Sequence, residues 1–281
     1  MMDKKPSHAR TVIAYILLII LAFLCLFFFY ILIINCTRSH QQIQAGFSFL
    51  PGSSFAKNFN NVIHDAKLPV LSGIRNSLIV SACCAILATY FSALTAYGLY
   101  AYEFRLKKPA FIFIMLILVM PTQVSAMGFI NLITKMGMIN TLYPIILPSI
   151  AAPAVFYFMY SYMQSSLPRE LIEAARVDGS GEFNTFNKIV IPIMKPALAV
   201  QAIFAFVQNW NNYFIPALVL QDNSKRTLPI LIAALRSADF LKFDMGKVYM
   251  LITIAIVPII IVYIALSKYI VAGVALGGVK E

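Results

Sequence analysis

Residues able to do chemistry are sparse in this chain, and they fall into two groups. The first surrounds Glu173, which is followed by Ala174, Ala175 and, one turn later, Asp178 and Gly179. A carboxylate beside two small side chains lets another surface approach closely and pair a cation with the acid. That is the chemistry of docking and not of bond breaking. The second group is neutral: "FVQNWNNYF" spaces Gln208, Asn211 and Asn212 at i, i+3 and i+4, one stripe of a helix, and Gln123 follows Pro121 and Thr122 in another apolar stretch. Amides in an apolar medium cost several kcal/mol unless hydrogen-bonded, so these face other helices or a wet passage. As helix glue, the stripe would leave Trp210 and Tyr213 as an outer aromatic belt. As a path, it would hydrogen-bond an uncharged polar solute.

Catalytic groupings are missing from the sequence. His8, His40 and His64 lie scattered in polar segments, and Cys25, Cys36, Cys83 and Cys84 form no CxxC. Neither a metal centre nor a disulfide framework is indicated. No GxxxxGK[ST] loop is present to cradle phosphates, and Gly179-Ser180-Gly181 has neither a preceding strand nor a third glycine. The expected protein is therefore not an enzyme and binds no cofactor of its own. Cys36 follows an apolar run as a lipidated cysteine would, but Asn35 stands where such sites have a small residue. It reads as an incidental thiol.

The elements that must position these groups are membrane helices. The chain is 60% hydrophobic and 12% charged, about half the charge of a soluble domain. Charge-free windows run over 11–37, 76–102, 109–134, 136–168, 196–221 and 248–267. Each holds about 20 residues or more, enough for a helix to cross a hydrocarbon core of roughly 30 Å. The expected fold is an all-α integral membrane protein with six transmembrane helices. Residues 1–10 form a cytoplasmic tail, 11–35 the first span, 36–75 an extracytoplasmic segment, and 76–281 a core holding the other five spans. The first span is too long for a cleaved signal. Basic Lys4, Lys5 and Arg10 before it, and Arg105, Lys107 and Lys108 in a short link, put both termini in the cytoplasm. The net charge of +11 then reflects topology and anionic headgroups, and nucleic acid is not an expected partner.

Outside the spans, "FLPGSSFAKNFNNV" reads as a small cap without a core of its own. In "TLPILIAALRSADF", Leu228, Ile230, Leu231, Ala234 and Leu235 share a face and suggest a short interfacial helix. Between spans 4 and 5 lies a hydrophilic loop, 167–192. Pro168 and Glu170 favour a helix start, residues 169–177 a short helix, and Gly179 its left-handed stop. Phe183, Phe186 and Val190 then make an apolar stripe on a second helix ended by Pro192. Four charges of each sign balance across the loop and its flanks. That suits a protein partner better than a lipid surface.

The spacing of Glu173, Ala174, Ala175, Gly179, Ile189, Ile191 and Pro192 resembles the "EAA" signature of binding-protein-dependent ABC importer permeases, with Ile191 where leucine is usual. "NSLIVSACCAILATYFSALTAYGLYAYEF", "WNNYFIPALVL" and "KYIVAGVALGGVKE" are similar to the second span, fifth span and carboxyl end of its carbohydrate-uptake subgroup, above all the smaller maltose-type subunit. This resemblance implies a bacterial or archaeal cell-membrane importer built from two homologous permeases, an ABC ATPase dimer carrying the ATP and Mg, and an extracellular sugar-binding protein. It makes 167–192 the cytoplasmic coupling loop, with Glu173 the anchor to the ATPase, Ala174 and Ala175 the close-approach surface, Asp178 a cap or second polar contact, and Gly179 the turn. The expected solute is a di- or oligosaccharide, with glycerol phosphate or another small polar solute as the runner-up. An ion-coupled carrier or channel is the rival from another class; it predicts charges inside spans, and the six windows hold none.

Overall fold

The computed structural model describes residues 8–65, 68–236 and 244–277. Most of the amino tail and the last four residues of the carboxyl end lie outside the described residues. All regular elements among the described residues are helical: α1 (His8–Cys36), α2 (His40–Gln44), α3 (Phe55–Ile63), α4 (Val70–Ala101), α5 (Lys107–Val119), α6 (Thr122–Lys135), α7 (Tyr143–Ile146), α8 (Pro153–Ser166), α9 (Arg169–Val177), α10 (Glu182–Thr185), α11 (Ile191–Ile193), α12 (Lys195–Trp210), α13 (Phe214–Val219), α14 (Leu228–Arg236) and α15 (Met245–Gly277).

Four stretches are long and apolar enough to cross a membrane: Thr11–Cys36, Val70–Ala101, Tyr143–Ser166 and Met245–Ser267. Two more qualify as bent pairs, α5 with α6 at 99° and Glu182–Ile193 with α12 at 82°. The described residues therefore supply four spans, or six if each bent pair is one span. The α5–α6 bend has a local cause. Met120 takes an extended backbone (φ −70°, ψ 124°), as the residue before a proline prefers, and Pro121 cannot continue the ladder.

The chain divides into two compact units. One comprises residues up to 66 together with 234–256. Its extramembrane segment has a small polar core of its own, contrary to the sequence expectation. Asn58, almost fully buried, donates to the carbonyls of Cys36 and Arg38 at 2.9 Å each. Gly246 lies so close that a Cβ there would come within 2.9 Å of the Arg38 carbonyl and of the Asn58 side chain. Lys247 pairs with Asp65, and the Met245 N–H donates to His40 Nδ1 at 3.1 Å. These are satisfied backbone carbonyls and charges, invisible to a search for apolar periodicity.

The second unit, 67–233 with 257 onward, is built on α4. Its buried positions include Ser77, Ser81, Cys84, Ala85, Ala88, Ser92, Ala93 and Ala96, a face of small residues that lets α12 and α8 pack closely. The helix α14 is not an interfacial helix lying on lipid. Leu228 and Leu231 are buried, the Leu228 N–H donates to Ser77 Oγ at 2.8 Å, and a Cβ at Gly73 would stand 2.6 Å from Leu231 Cδ1. Asn76 ties the preceding turn through the carbonyls of Ser224 (2.9 Å) and Arg226 (3.1 Å). An apolar face on a short helix is the same signal for either fate, and here the glycine gap in α4 receives it.

Candidate functional site

The loop after α8 begins at Pro168, and α9 forms over the expected residues. Ile172 and Ala175 point inward, whereas Glu173, Ala174, Asp178 and Gly179 are exposed. Among the described residues neither Glu173 nor Asp178 has a side-chain hydrogen bond or ion pair. The helix ends as the glycine requires: Gly179 sits at φ +76°, the Ser180 N–H reaches back to the Ala175 carbonyl at 2.9 Å, and the Gly179 N–H to that of Arg176 at 3.0 Å. The exposed tip also carries two apolar side chains, Val177 at 88% exposure and Phe183 at 69%.

Two expectations for the second half of the loop fail. Phe183, in the first turn of the continuous helical stretch Glu182–Ile193, does not join the buried stripe and points outward, while Phe186 and Val190 are fully buried. Nor does Pro192 end the helix. A π-helical turn over Phe186–Val190 precedes it, and the Ile191 N–H bonds the Phe186 carbonyl five residues back. The widened turn accommodates a ring that has no N–H to give, and the chain changes direction at Met194 instead.

Sequence reasoning missed how the loop is held. Arg169 and Arg176, two turns apart on α9, lie over the rings of Tyr100 and Tyr102 at 5.1 and 5.0 Å. Tyr100 Oη donates to the Leu167 carbonyl at 2.6 Å. Glu182 accepts from Arg176 Nε and from Tyr97 Oη, each at 2.7 Å. Partial burial pushes the Glu182 carboxyl upward, but hydrogen bonds from Arg176, Tyr102 and Tyr97 outweigh it and hold its pKa at about 2. The loop is thus clasped to the end of α4 by ionised groups. The available signal was the tyrosine run "YGLYAYEF" together with two arginines seven residues apart on one helix face.

The amide stripe is not continuous. The helix α12 ends at Trp210, Asn211 is its cap, and Asn212 lies beyond it. Asn209 and Asn211 turn their amides back onto the carbonyls of Ala205 (2.8 Å) and Val207 (3.0 Å), the local bonding by which asparagines compete with a helix. Trp210 is buried and stacked on Phe206 at 5.7 Å, so it forms no outer belt. Asn212 lines a cavity of about 240 Å³ with Thr122 and Ser125, between apolar walls from Phe129, Ile145 and Ile215. Gln123, Gln208 and Asn211 do not line it; they are exposed on the surface of the chain.

Comparison with known proteins agrees with this geometry. The family described as "Binding-protein-dependent transport system inner membrane component" matches residues 85–275. The arabinooligosaccharides transport system permease protein AraQ of Halalkalibacterium halodurans is 32% identical over 99% of this chain and 100% of its own. The melibiose/raffinose/stachyose import permease protein MelC of Bacillus subtilis is 31% identical over 90% of each chain. The lactose transport system permease protein LacG of Rhizobium radiobacter is 29% identical over the full length of both. A crystal structure of a bacterial ABC transporter involved in alginate import has a chain of the same fold, with a TM-score of 0.78 at 20% identity, covering 96% of this chain and 99% of that one. A multi-pass helical chain with the loop, the matched region and full-length relatives of this kind belongs to the family of inner membrane components of binding-protein-dependent transport systems.

Proposed function

We propose that this chain is one of two homologous permease subunits of an ABC importer that takes up a di- or oligosaccharide. The observation that carries the reading is Glu173: an exposed carboxylate, unpaired among the described residues, on a helix clasped to the end of a membrane span. Its partner is a basic groove on a soluble ATPase subunit. Ala174 allows close approach, Gly179 sets the turn, and Val177 and Phe183 add apolar contacts around the ion pair. Two copies of that ATPase hold the ATP and Mg; this chain contributes no catalytic group. Movement of the ATPase passes through α9 and its clasp into α4. In this reading the 167–192 loop and both termini face the cytoplasm of a bacterial or archaeal cell, and 36–75 faces a sugar-binding protein outside.

The solute reading rests on the neutral polar groups. Asn212, Thr122 and Ser125 suit hydroxyls, and relatives matching 90% or more of the chain are named for the transport of arabinooligosaccharides, melibiose/raffinose/stachyose or lactose. The exposed amides Gln123, Gln208 and Asn211 need protein or water and not lipid, which supports a second permease facing them. Gentle detergent extraction of the tagged chain, followed by mass spectrometry, tests the assembly. Recovery of an ATPase and a second permease is expected; recovery of the chain alone in successively milder detergents would return the self-contained carrier.

A further inference from the structure

A cavity of about 930 Å³ lies near the 167–192 loop, among the end of α4, the start of α5 and α8. Its lining combines the cations Arg105, Lys107 and Lys108 with the apolar side chains Leu99, Phe111 and Ile112. Phe111 is fixed by ring contact with Tyr160 at 5.2 Å. Ser161 and Gln164 of α8 add neutral polar groups. Lys107 is held by Glu103 at 2.7 Å, whereas Arg105 and Lys108 are exposed and have no hydrogen-bond or ion-pair partner among the described residues. Three cations against one carboxylate leave a surplus of positive charge in a concave site.

An apolar track leaves the cavity along α5. Ile112, Leu116 and Val119, at i, i+4 and i+7, lie on one helix face with exposures of 57, 64 and 79%. We infer that this cavity binds an anionic phospholipid, its phosphate between Arg105 and Lys108 and an acyl chain along Ile112, Leu116 and Val119. The cations alone would fit any phosphate, and the track alone any apolar surface. A phospholipid, with an anionic headgroup joined to acyl chains, satisfies both at once. The site also touches the loop. Glu103 stands between Lys107 and Arg169, the latter at 4.0 Å, so a headgroup that engages Lys107 frees Glu103 for α9.

The test is native mass spectrometry of the full chain, alone and in its extracted assembly, titrated with dioleoylphosphatidylglycerol and, for comparison, dioleoylphosphatidylcholine. Preferential retention of the anionic lipid is expected. R105Q/K108Q should weaken it about 30-fold, the attraction of two cations near a membrane surface. K57Q/K135Q removes the same charge from exposed positions elsewhere and should leave affinity unchanged. Ser161→Trp, which fills the cavity and keeps every cation, should weaken binding as well. Equal loss in both charge variants, or none in R105Q/K108Q, would overturn the site. Displacement by inorganic phosphate would assign it to a soluble anion and overturn the lipid. Binding to the isolated chain but not to the assembly would mean that a partner subunit covers the cavity, which also overturns it.

Discussion

Replacing Glu182 by alanine removes the acceptor that joins Arg176, Tyr97 and Tyr102, and its effect is calculable from the geometry. Two hydrogen bonds of 2.7 Å to a carboxylate are lost. Bonds to charged groups contribute about 1.5–3 kcal/mol each when shielded. Here the Arg176 and Glu182 side chains are 36% and 39% exposed, so solvent screening reduces the sum to about 1–2 kcal/mol. Opening of the loop should become roughly tenfold more frequent, since about 1.4 kcal/mol is a factor of ten. Amide hydrogen exchange over residues 169–193 reads that change directly. Tyr97→Phe, which keeps the ring, should produce a smaller increase in the same segment. The pH dependence has a defined sign. A carboxylate whose pKa is depressed on folding stabilises above its ordinary range and loses that contribution as pH falls through, in this case, about 2. Wild-type protection, corrected for intrinsic exchange, should therefore stay constant from about pH 8 to pH 5. Unchanged exchange in E182A, or wild-type protection that fades across that interval, would refute the clasp.

Glu173→Lys should abolish uptake while leaving the chain inserted, because it sets like charge against the basic groove proposed for the ATPase. Breaking such a contact costs about 2–5 kcal/mol, so ATPase retention in a pull-down should fall about 30-fold or more. Asn212→Leu should lower uptake about tenfold through a lost hydrogen bond to solute, with the ATPase still copurifying; loss of assembly would mark Asn212 as helix glue.

What the sequence made legible follows from range. The helix at 169–177 and its stop depend on Pro168, the local charge pattern and Gly179, all within one short segment, and α9 ends on the left-handed glycine that this pattern demands. The membrane class was equally local, a matter of charge-free windows. The clasp was not legible, because Tyr97 and Glu182 are 85 residues apart in sequence and meet only when α4 packs beside the loop. The amide stripe misled for a different reason. Spacing of Gln208, Asn211 and Asn212 assumes an unbroken helix, yet asparagine side chains can bond their own backbone and end one. Pro192 misled likewise, since a π turn just ahead of it absorbs the missing donor. In the extramembrane segment, Val62 is buried beside Asn58, and it is the bonding of Asn58 to the carbonyls of Cys36 and Arg38, about 20 residues away, that no local pattern announces.

In the proposed importer, the tip of the 167–192 loop seats on an ATP-hydrolysing subunit. A photo-crosslinking amino acid placed at Val177, the most exposed apolar side chain of that tip, tests it in intact cells. A crosslinked product containing an ABC ATPase is expected, reduced when Glu173 is changed to lysine in the same chain. Crosslinks to lipid alone, or an ATPase adduct indifferent to Glu173→Lys, would contradict it.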